Sequence, residues 1–302
     1  MRFPRRPEWV LLVRMLPDRE SFLAELRLRN RGLIATADQE RLASARFAIA
    51  GCGSTGGAVV EPLIRAGALH LSLYEPGSYE LNNLNRQRAT TEAIGRNKGA
   101  WLVEQARAVN PYATISVDER GVTQDNVEAL CVGADLIVDA VDVTAMAGLS
   151  AKFALHEAAA RHRRPVVTAY DLAYRQYVRI FDYRDNPEPF AGALGRLRSA
   201  RSPIEVLAIL VPVTAIPVEL ASEIERLQDE PGASISQLGC ASDLFGAMIV
   251  PLAIELLANR SVKNEIVIDL RDAMRSTPER WSAKMSSLVR LARLKMRMER
   301  KA

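Results

Sequence analysis

Three clusters in the sequence carry residue types that do chemistry on phosphates. Gly51, Gly53 and Gly56 satisfy GxGxxG within Gly51-Cys52-Gly53-Ser54-Thr55-Gly56-Gly57. This pattern lets a backbone approach a phosphate and presents the free N–H groups and positive dipole end of a helix. Roughly twenty residues on, Glu75 stands where a ribose-binding carboxylate belongs. A polar loop with Asn83, Arg86 and Gln87 follows, then Lys98 beyond a second turn signal, and later the carboxylates Asp139 and Asp142. The glycines alone leave a dinucleotide, another nucleotide or a ligand-free tight turn open. The charges narrow the choice. A dehydrogenase binding a diphosphate bridge has no leaving pyrophosphate to stabilise, whereas a triphosphate attacked at its α-phosphate needs cations and a carboxylate able to hold Mg²⁺. Taken singly, Arg86 and Lys98 read as solvated loop and helix-start charges, and Asp139 as a residue ordering a strand end.

A scaffold must gather these residues. Arg46-Phe47-Ala48-Ile49-Ala50 is an apolar β-run directly before the first glycine, and Ser54 to Ala66 has the helical spacing of Val59, Val60, Leu63 and Ile64, closed by Gly67. Leu69 to Tyr74 predicts the next strand, and Asn97 to Val109 a helix that Pro111 stops. Strands at 114–117, 134–139 and 165–168 alternate with helices at 124–131 and 151–161. That alternation predicts an α/β fold with a doubly wound, mostly parallel Rossmann-like sheet and right-handed crossovers. Ligands in such sheets bind off the carboxyl ends of strands, so Glu75, the polar loop and Asp142 converge on one crevice.

From Tyr174 to Tyr183 the alternation predicts a longer antiparallel strand. Residues 184–202 read as a long loop, Ile204 to Leu227 as an apolar segment interrupted by prolines, and 229–232 as a turn. A long apolar helix from Ala241 to Leu257 and a strand from Glu265 to Leu270 come next. Upstream, a helix starts at Asp18, and Thr36-Ala37-Asp38-Gln39 predicts a capping box opening a helix to about Ala45. The expected organisation is an N-terminal arm with helices (1–45), a nucleotide-binding core (46–170), a substrate and dimer-forming half of the same domain that adds antiparallel strands (171–270), and a basic amphipathic tail (271–302) with Met285, Leu288, Val289, Ala292 and Met296 at helical spacing.

With 302 residues, 48% hydrophobic and 25% charged, the chain can bury a large core. Its net charge of +4 is mildly basic, with much of the excess in the tail. Cys52, Cys131 and Cys240 show no CxxC spacing, which argues against a disulfide framework and a four-thiolate zinc site and fits a reducing cytoplasm. The apolar run Trp9 to Val13 ends at Arg14, too short for a signal segment or a membrane span, and Pro212 and Pro217 break the run from Val206 to Val218, so no membrane partner is expected. The basic tail reads as a solvated or dimer-packing helix ahead of a site for RNA or an acidic protein, and few aromatics leave no stacking platform for single-stranded nucleic acid.

The order GxGxxG, acidic residue, Asn83-Leu84-Asn85-Arg86-Gln87, Ile94-Gly95-Arg96-Asn97-Lys98 and Asp139-Ala140-Val141-Asp142 resembles the ThiF/MoeB/HesA family, bacterial relatives of ubiquitin-activating enzymes, over about residues 27–170. The resemblance implies an ATP- and Mg²⁺-dependent adenylyltransferase, in which the C-terminal carboxylate of a ubiquitin-like protein or peptide attacks the α-phosphate to give an acyl-adenylate and pyrophosphate. It implies that Glu75 binds the ribose, that Asn83, Arg86, Gln87 and Lys98 bind phosphates, and that Asp142 holds Mg²⁺. Arg29, with Arg31 as its rival, would reach the phosphates from the other subunit of a homodimer. The helix from Gln237 to Leu257, with Gly239 and Gly246, resembles the family's late glycine-containing helix.

Three departures stand out. Residues 170–239 contain no Cys for a thioester, so the acyl-adenylate is expected to pass directly to a downstream acceptor or conjugating protein, with Cys240 the one thiol to test. Paired CxxC motifs are missing. Glu75-Pro76-Gly77 replaces the usual Asp-x-Asp, and Gly77 gains no role from the resemblance. The resemblance also admits the tRNA threonylcarbamoyladenosine dehydratase branch and a catalytically weak scaffold subunit. The intact Arg86, Lys98 and Asp142 argue against the scaffold.

Overall fold

Four short apolar strands build the half of the sheet that carries the site: β1 (Arg46–Ala50), β2 (His70–Tyr74), β3 (Thr114–Asp118) and β4 (Leu136–Asp139). β1 is buried at every position after its first and β4 throughout, as strands covered on both faces must be. The computed structural model describes residues 16–143, 146–201, 203–227 and 235–301, so the first fifteen residues of the expected N-terminal arm and the turn at 229–232 lie outside the described residues. β5 (Pro165–Leu172), β6 (Arg175–Asp182) and β7 (Glu265–Asp269) complete a seven-stranded sheet of order β3-β2-β1-β4-β5-β6-β7. Strands β1 to β5 are parallel, and β6 and β7 are antiparallel additions, as expected. The strand order reverses between β1 and β4, and that switch point opens the crevice where ligands of such sheets bind.

The helices are α1 (Arg19–Leu26), α2 (Thr36–Ser44), α3 (Ser54–Ala66), α4 (Lys98–Val109), α5 (Val127–Gly133), α6 (Met146–Arg161), α7 (Leu194–Ser199), α8 (Pro203–Leu210), α9 (Val218–Leu227), α10 (Gly239–Leu257), α11 (Leu270–Met274) and α12 (Thr277–Lys301). One core layer joins the sheet to α3, α4 and α10, and the other joins it to α5, α6, α8 and α9. Among the described residues α10 is long and apolar enough to cross a membrane. Its Ala241, Phe245, Ile249, Ala253 and Leu256 are instead fully buried in the layer it shares with α3. A Cβ on Gly246 would lie 2.6 Å from the Ala58 carbonyl, so these two helices meet backbone to backbone.

Two local expectations fail. The capping box at Thr36 does not form, because Thr36 is already helical and the preceding Ala35 offers no side-chain cap. Asp38 is drawn elsewhere: buried, it accepts from Arg41 (2.6 Å) and Arg260 (2.6 Å), tying α2 to the chain beyond α10. The stretch 184–202 is not a plain loop either. It holds a 3₁₀ turn (Pro189–Gly192) and α7, and the Phe190 ring stacks on His156 with centroids 3.9 Å apart. Phe190 and Ala191 take φ of 53°, a left-handed conformation that apolar anchoring must hold in place.

Candidate active site at the glycine turn

The turn between β1 and α3 gives each motif glycine a different reason. Gly51, at φ 88°, would place a Cβ 2.4 Å from the Ala140 carbonyl after β4. A Cβ on Gly56 would strike the Gly51 carbonyl at 1.9 Å, so only a bare backbone lets α3 start here. A Cβ on Gly53 would meet nothing nearer than Gln87 Nε2 at 3.9 Å. That open side is the position at which a phosphate approaches a turn of this type.

Glu75 is buried and its carboxylate bridges two segments. The Cys52 N–H donates to Oε2, and the Gly77 N–H donates to Oε1 at 2.7 Å. Each carboxylate oxygen keeps lone pairs for a further donor such as a diol. Gly77 thereby gains the role the sequence left open. A Cβ there would sit 2.8 Å from Glu75 Oε1, and the Gly77 carbonyl accepts from the Lys98 N–H (3.0 Å). Gly77→Ala is therefore expected to unseat the carboxylate, strand the buried Cys52 donor and cost about 1–3 kcal/mol, measured by urea unfolding.

The polar loop is pinned from α10. Asn85 Nδ2 donates to the Gln237 carbonyl (3.1 Å), Arg88 pairs with Asp243 (2.7 Å), and a Cβ on Gly239 would sit 3.3 Å from the Arg86 Cα. Asn83 is buried and folds the loop, its amide oxygen accepting from the Glu80 N–H (3.1 Å) and its amide nitrogen donating to Asn82 (2.6 Å). Arg86 Nη1 donates to the Asn82 carbonyl (2.8 Å) and to Asn85 Oδ1 (2.9 Å). Its Nε, like Gln87 Oε1, is buried without a partner. Unpaired buried polar atoms in a native site ask for a ligand or water.

Lys98 is the first residue of α4. Asn97 caps that helix by accepting from the Ala100 N–H (3.0 Å) while donating to the Glu75 carbonyl (2.8 Å). The Lys98 ammonium lies 5.9 Å from the Tyr79 ring centroid and makes no hydrogen bond or ion pair among the described residues. Burial pushes the Cys52 thiol well up; the Glu75 charge adds to this, and Lys98 opposes it. Burial likewise pushes Cys131 up to about 12, so neither thiol is a nucleophile near neutrality. Cys240 is half-buried at the second position of α10.

Asp142 is exposed beyond the end of β4, and its charge reaches the buried Lys152. Asp139 turns inward. Fully buried, it pairs with the Lys152 ammonium and with His156 Nε2 (2.9 Å), and it accepts from the Val141 N–H (3.2 Å). His156 Nδ1 lies 2.7 Å from the Tyr183 hydroxyl, which accepts from the Phe190 N–H (3.0 Å). Burial keeps the imidazole neutral, and a carboxylate can only accept, so Nε2–H donates to Asp139 and Nδ1 accepts from the Tyr183 hydroxyl. Burial pushes His156 down further than Asp139 lifts it. Burial also opposes the Asp139 charge, but Lys152 and His156 outweigh it and hold that carboxyl below its ordinary range.

Sequence reasoning missed Lys152, His156 and Tyr183, and it missed Asp171 at the carboxyl end of β5. Asp171 accepts from Thr55 Oγ1 (3.4 Å) at the start of α3, and burial raises it to about 6. The position of Asp171 at a parallel strand's carboxyl end was the available signal.

Arg29 is not brought to this crevice. Its neighbours Arg27 and Asn30 donate to the Gly67 and Ala66 carbonyls, at the opposite end of α3 from the glycine turn. That end is about 20 Å away at ~1.5 Å per helical residue.

A profile of the ThiF family matches residues 27–276. The sheet order and the matched span define the class: the chain belongs to the ThiF family. Among curated relatives, it is 31% identical over 151 residues to the heterocyst protein HesA of Trichormus variabilis, covering 50% of this chain and 54% of that protein. It is 29% identical over 160 residues to the molybdopterin-synthase adenylyltransferase of Salmonella typhimurium, covering 53% and 62%. The match thus spans little more than half of these relatives' own length. Two solved structures share the fold: PaaA (TM-score 0.59, 16% identity, 86% of this chain and 82% of that one) and the E. coli tRNA N6-threonylcarbamoyladenosine dehydratase TcdA (TM-score 0.55, 20% identity, 80% and 96%).

Proposed function

We propose that this chain is an ATP-dependent adenylyltransferase that activates the C-terminal carboxylate of a ubiquitin-like protein or peptide. The observation that carries the reading is the pair of cations beside the glycine turn: Lys98 without a hydrogen-bonded or ionic partner among the described residues, and Arg86 with a buried, unpartnered Nε. A triphosphate supplies the acceptor oxygens these groups lack. Its phosphates would lie over the open side of Gly53 and its ribose against the remaining lone pairs of Glu75. A carboxylate oxygen of the substrate bonds to the α-phosphorus as the bond to the pyrophosphate oxygen breaks. Lys98 and Arg86 neutralise the charge that moves onto the leaving group.

Asp142 would hold Mg²⁺, which contributes charge neutralisation when bound. No group of three or more metal-ligating side chains occurs among the described residues, which suits an ion held by one carboxylate plus substrate phosphates. Arg29 would act across a homodimer, since in its own chain it sits at the far end of α3. With Cys52 and Cys131 buried and their thiols pushed up, the acyl-adenylate would be handed directly to an acceptor in the cytoplasm. Relatives named as adenylyltransferases support this reading, among them the sulfur carrier protein adenylyltransferase of Thermus thermophilus, 27% identical over 146 residues. A solved MccB complex with AMPCPP and MccA (TM-score 0.52, 14% identity) shares the fold.

A second reading rests on 31% identity over 121 residues, 39% of this chain, with the tRNA threonylcarbamoyladenosine dehydratase of Haemophilus influenzae. ATP–pyrophosphate exchange separates the two. Exchange that requires a ubiquitin-like protein or peptide is the expected result, and exchange supported only by modified tRNA moves the assignment to the dehydratase class. Tight NADH binding without ATP binding would remove both.

A further inference from the structure

The C-terminal helix α12 is apolar on two opposite sides, and the body covers one of them. Toward the body, Leu294 and Ser287 are buried, the Ser287 hydroxyl donates to the Ile216 carbonyl (2.7 Å), and Arg290 pairs with Glu225 of α9. Pointing away are Trp281 (62% exposed), Met285 (54%), Val289 (44%) and Met296 (51%), with the exposed Ala292 between them. At 3.6 residues per turn these five fall within about 80° of arc, opposite Ser287 and Leu294, and run for about 22 Å along the axis. Four large apolar side chains in one uninterrupted line are not the scatter of a normal surface.

The margins of this stripe are cationic. Lys284 borders one side, its ammonium 5.6 Å from the Trp281 ring centroid, and the exposed Arg293 borders the other. Residues 277–301 contain eight Lys and Arg against two Glu, so this helix carries +6 in a chain whose total is +4.

We infer that α12 is an interfacial helix that seats its outward stripe of Trp281, Met285, Val289 and Met296 in an anionic phospholipid surface, with Lys284 and Arg293 meeting the headgroups. The charge pattern selects this occupant. A second copy docked on the same stripe would bring Lys284 and Arg293 of each chain against those of the other, with a +6 helix facing a +6 helix. An acidic protein that envelops a helix in a groove is obstructed, because half the circumference of α12 is already packed along α9 and the 213–215 turn. A planar surface meets only the outward arc, which a helix buries to a depth of about 5–10 Å while flanking Lys and Arg reach up to phosphates. The inference departs from the expectation that the chain meets no membrane, and it is independent of the adenylation reading.

The full chain is mixed with vesicles of phosphatidylcholine, alone or with phosphatidylglycerol, and followed by co-sedimentation and tryptophan emission. The expected result is binding to the anionic vesicles with a blue shift, weakened by high salt. The M285E/V289E and K284E/R293E variants should each bind at least about tenfold more weakly. Circular dichroism and ATP binding, neither of which involves these residues, should be unchanged. Absence of binding, or equal binding to neutral and anionic vesicles, would overturn the inference. So would a solution dimer that M285E/V289E dissociates, which would assign the stripe to a second copy. Preferential capture by poly-glutamate over vesicles would overturn it as well, in favour of an acidic polypeptide.

Discussion

Replacing Lys152 with Met is expected to cost about 3–5 kcal/mol of folding stability, read as a fall in the urea midpoint with little change in slope. Asp139 has no exposure to water, and its charge is balanced by the Lys152 ammonium and by a hydrogen bond from a neutral imidazole. Without the ammonium, only the hydrogen bonds from His156 and the Val141 N–H are left to hold a carboxylate in a low-dielectric interior, where Lys152 also contacts the Tyr170 ring (5.7 Å) and Thr168 (3.4 Å). Substituting Asp139 with Leu alongside Lys152→Met removes both charges, and the double variant is expected to recover much of the loss. That recovery distinguishes a stranded charge from a packing defect, because a cavity would persist in the double variant.

The same network sets the pH profile of stability. Asp139 is held below its ordinary range in the fold, so its contribution is present above the unfolded carboxylate range and is lost as pH falls through it and below. His156 is pushed below 6.5 by burial and stays neutral while folded. The unfolded chain takes up that proton first, so stability begins to fall as pH drops past about 6.5. Lys152 is raised despite its burial, because Asp139 outweighs the desolvation, so its contribution is present below the ordinary lysine range and is lost only as pH rises past it. Denaturant titrations should therefore show a plateau between roughly pH 7 and pH 8, above which the unfolded thiols ionise while the buried Cys52 and Cys131 do not. In an Asp171→Asn background, which removes the opposing gain of a carboxyl that burial raises to about 6, a midpoint that held steady from pH 7 down to pH 4 would contradict the buried neutral imidazole.

What could be read in the sequence was what neighbouring residues determine. The strand before Gly51, the helix after Gly53 and the carboxylate just past β2 sit within one βαβ unit, so the strand-end rule places Glu75 from sequence alone. Asn97 before Lys98 is likewise a local cap. The inward network was not legible, because Tyr183, the residue after β6, reaches His156 across the fold. Lys152 and His156 do lie four residues apart on an alanine-rich helix, the spacing that shares a face, but nothing in the sequence says which way that face turns. The Gly77 pattern looked like a defect because its reason is a carboxylate oxygen 2.8 Å from a side chain it does not have. At Thr36 the capping motif was present but idle, since Asp38 found two arginines instead. For α12 the period was readable, yet with apolar residues on both sides the pattern alone could not choose the face that meets the body.

The largest loss of activity is expected from Lys98→Ala, which should slow ATP–pyrophosphate exchange by about 10²–10³. The variant is informative because the Lys98 side chain holds no hydrogen bond that the fold needs. Its backbone N–H bond to Gly77 survives the substitution, alanine suits the first turn of a helix, and the side chain gives up only its contact with the buried Tyr79 ring, so stability should fall by no more than about 1 kcal/mol. Arg86 offers no such separation, since its Nη1 bonds to Asn82 and Asn85 hold the loop itself. If Lys98 acts on charge that grows as pyrophosphate leaves, the loss should appear mainly in kcat, with ATP affinity changed far less. Asp142→Asn should lower exchange comparably, and raising the Mg²⁺ concentration should restore part of it, whereas Lys98→Ala should not respond to the metal. A near-wild-type rate in Lys98→Ala would place the phosphates away from the open side of Gly53 and assign the lysine to the solvated surface of α4.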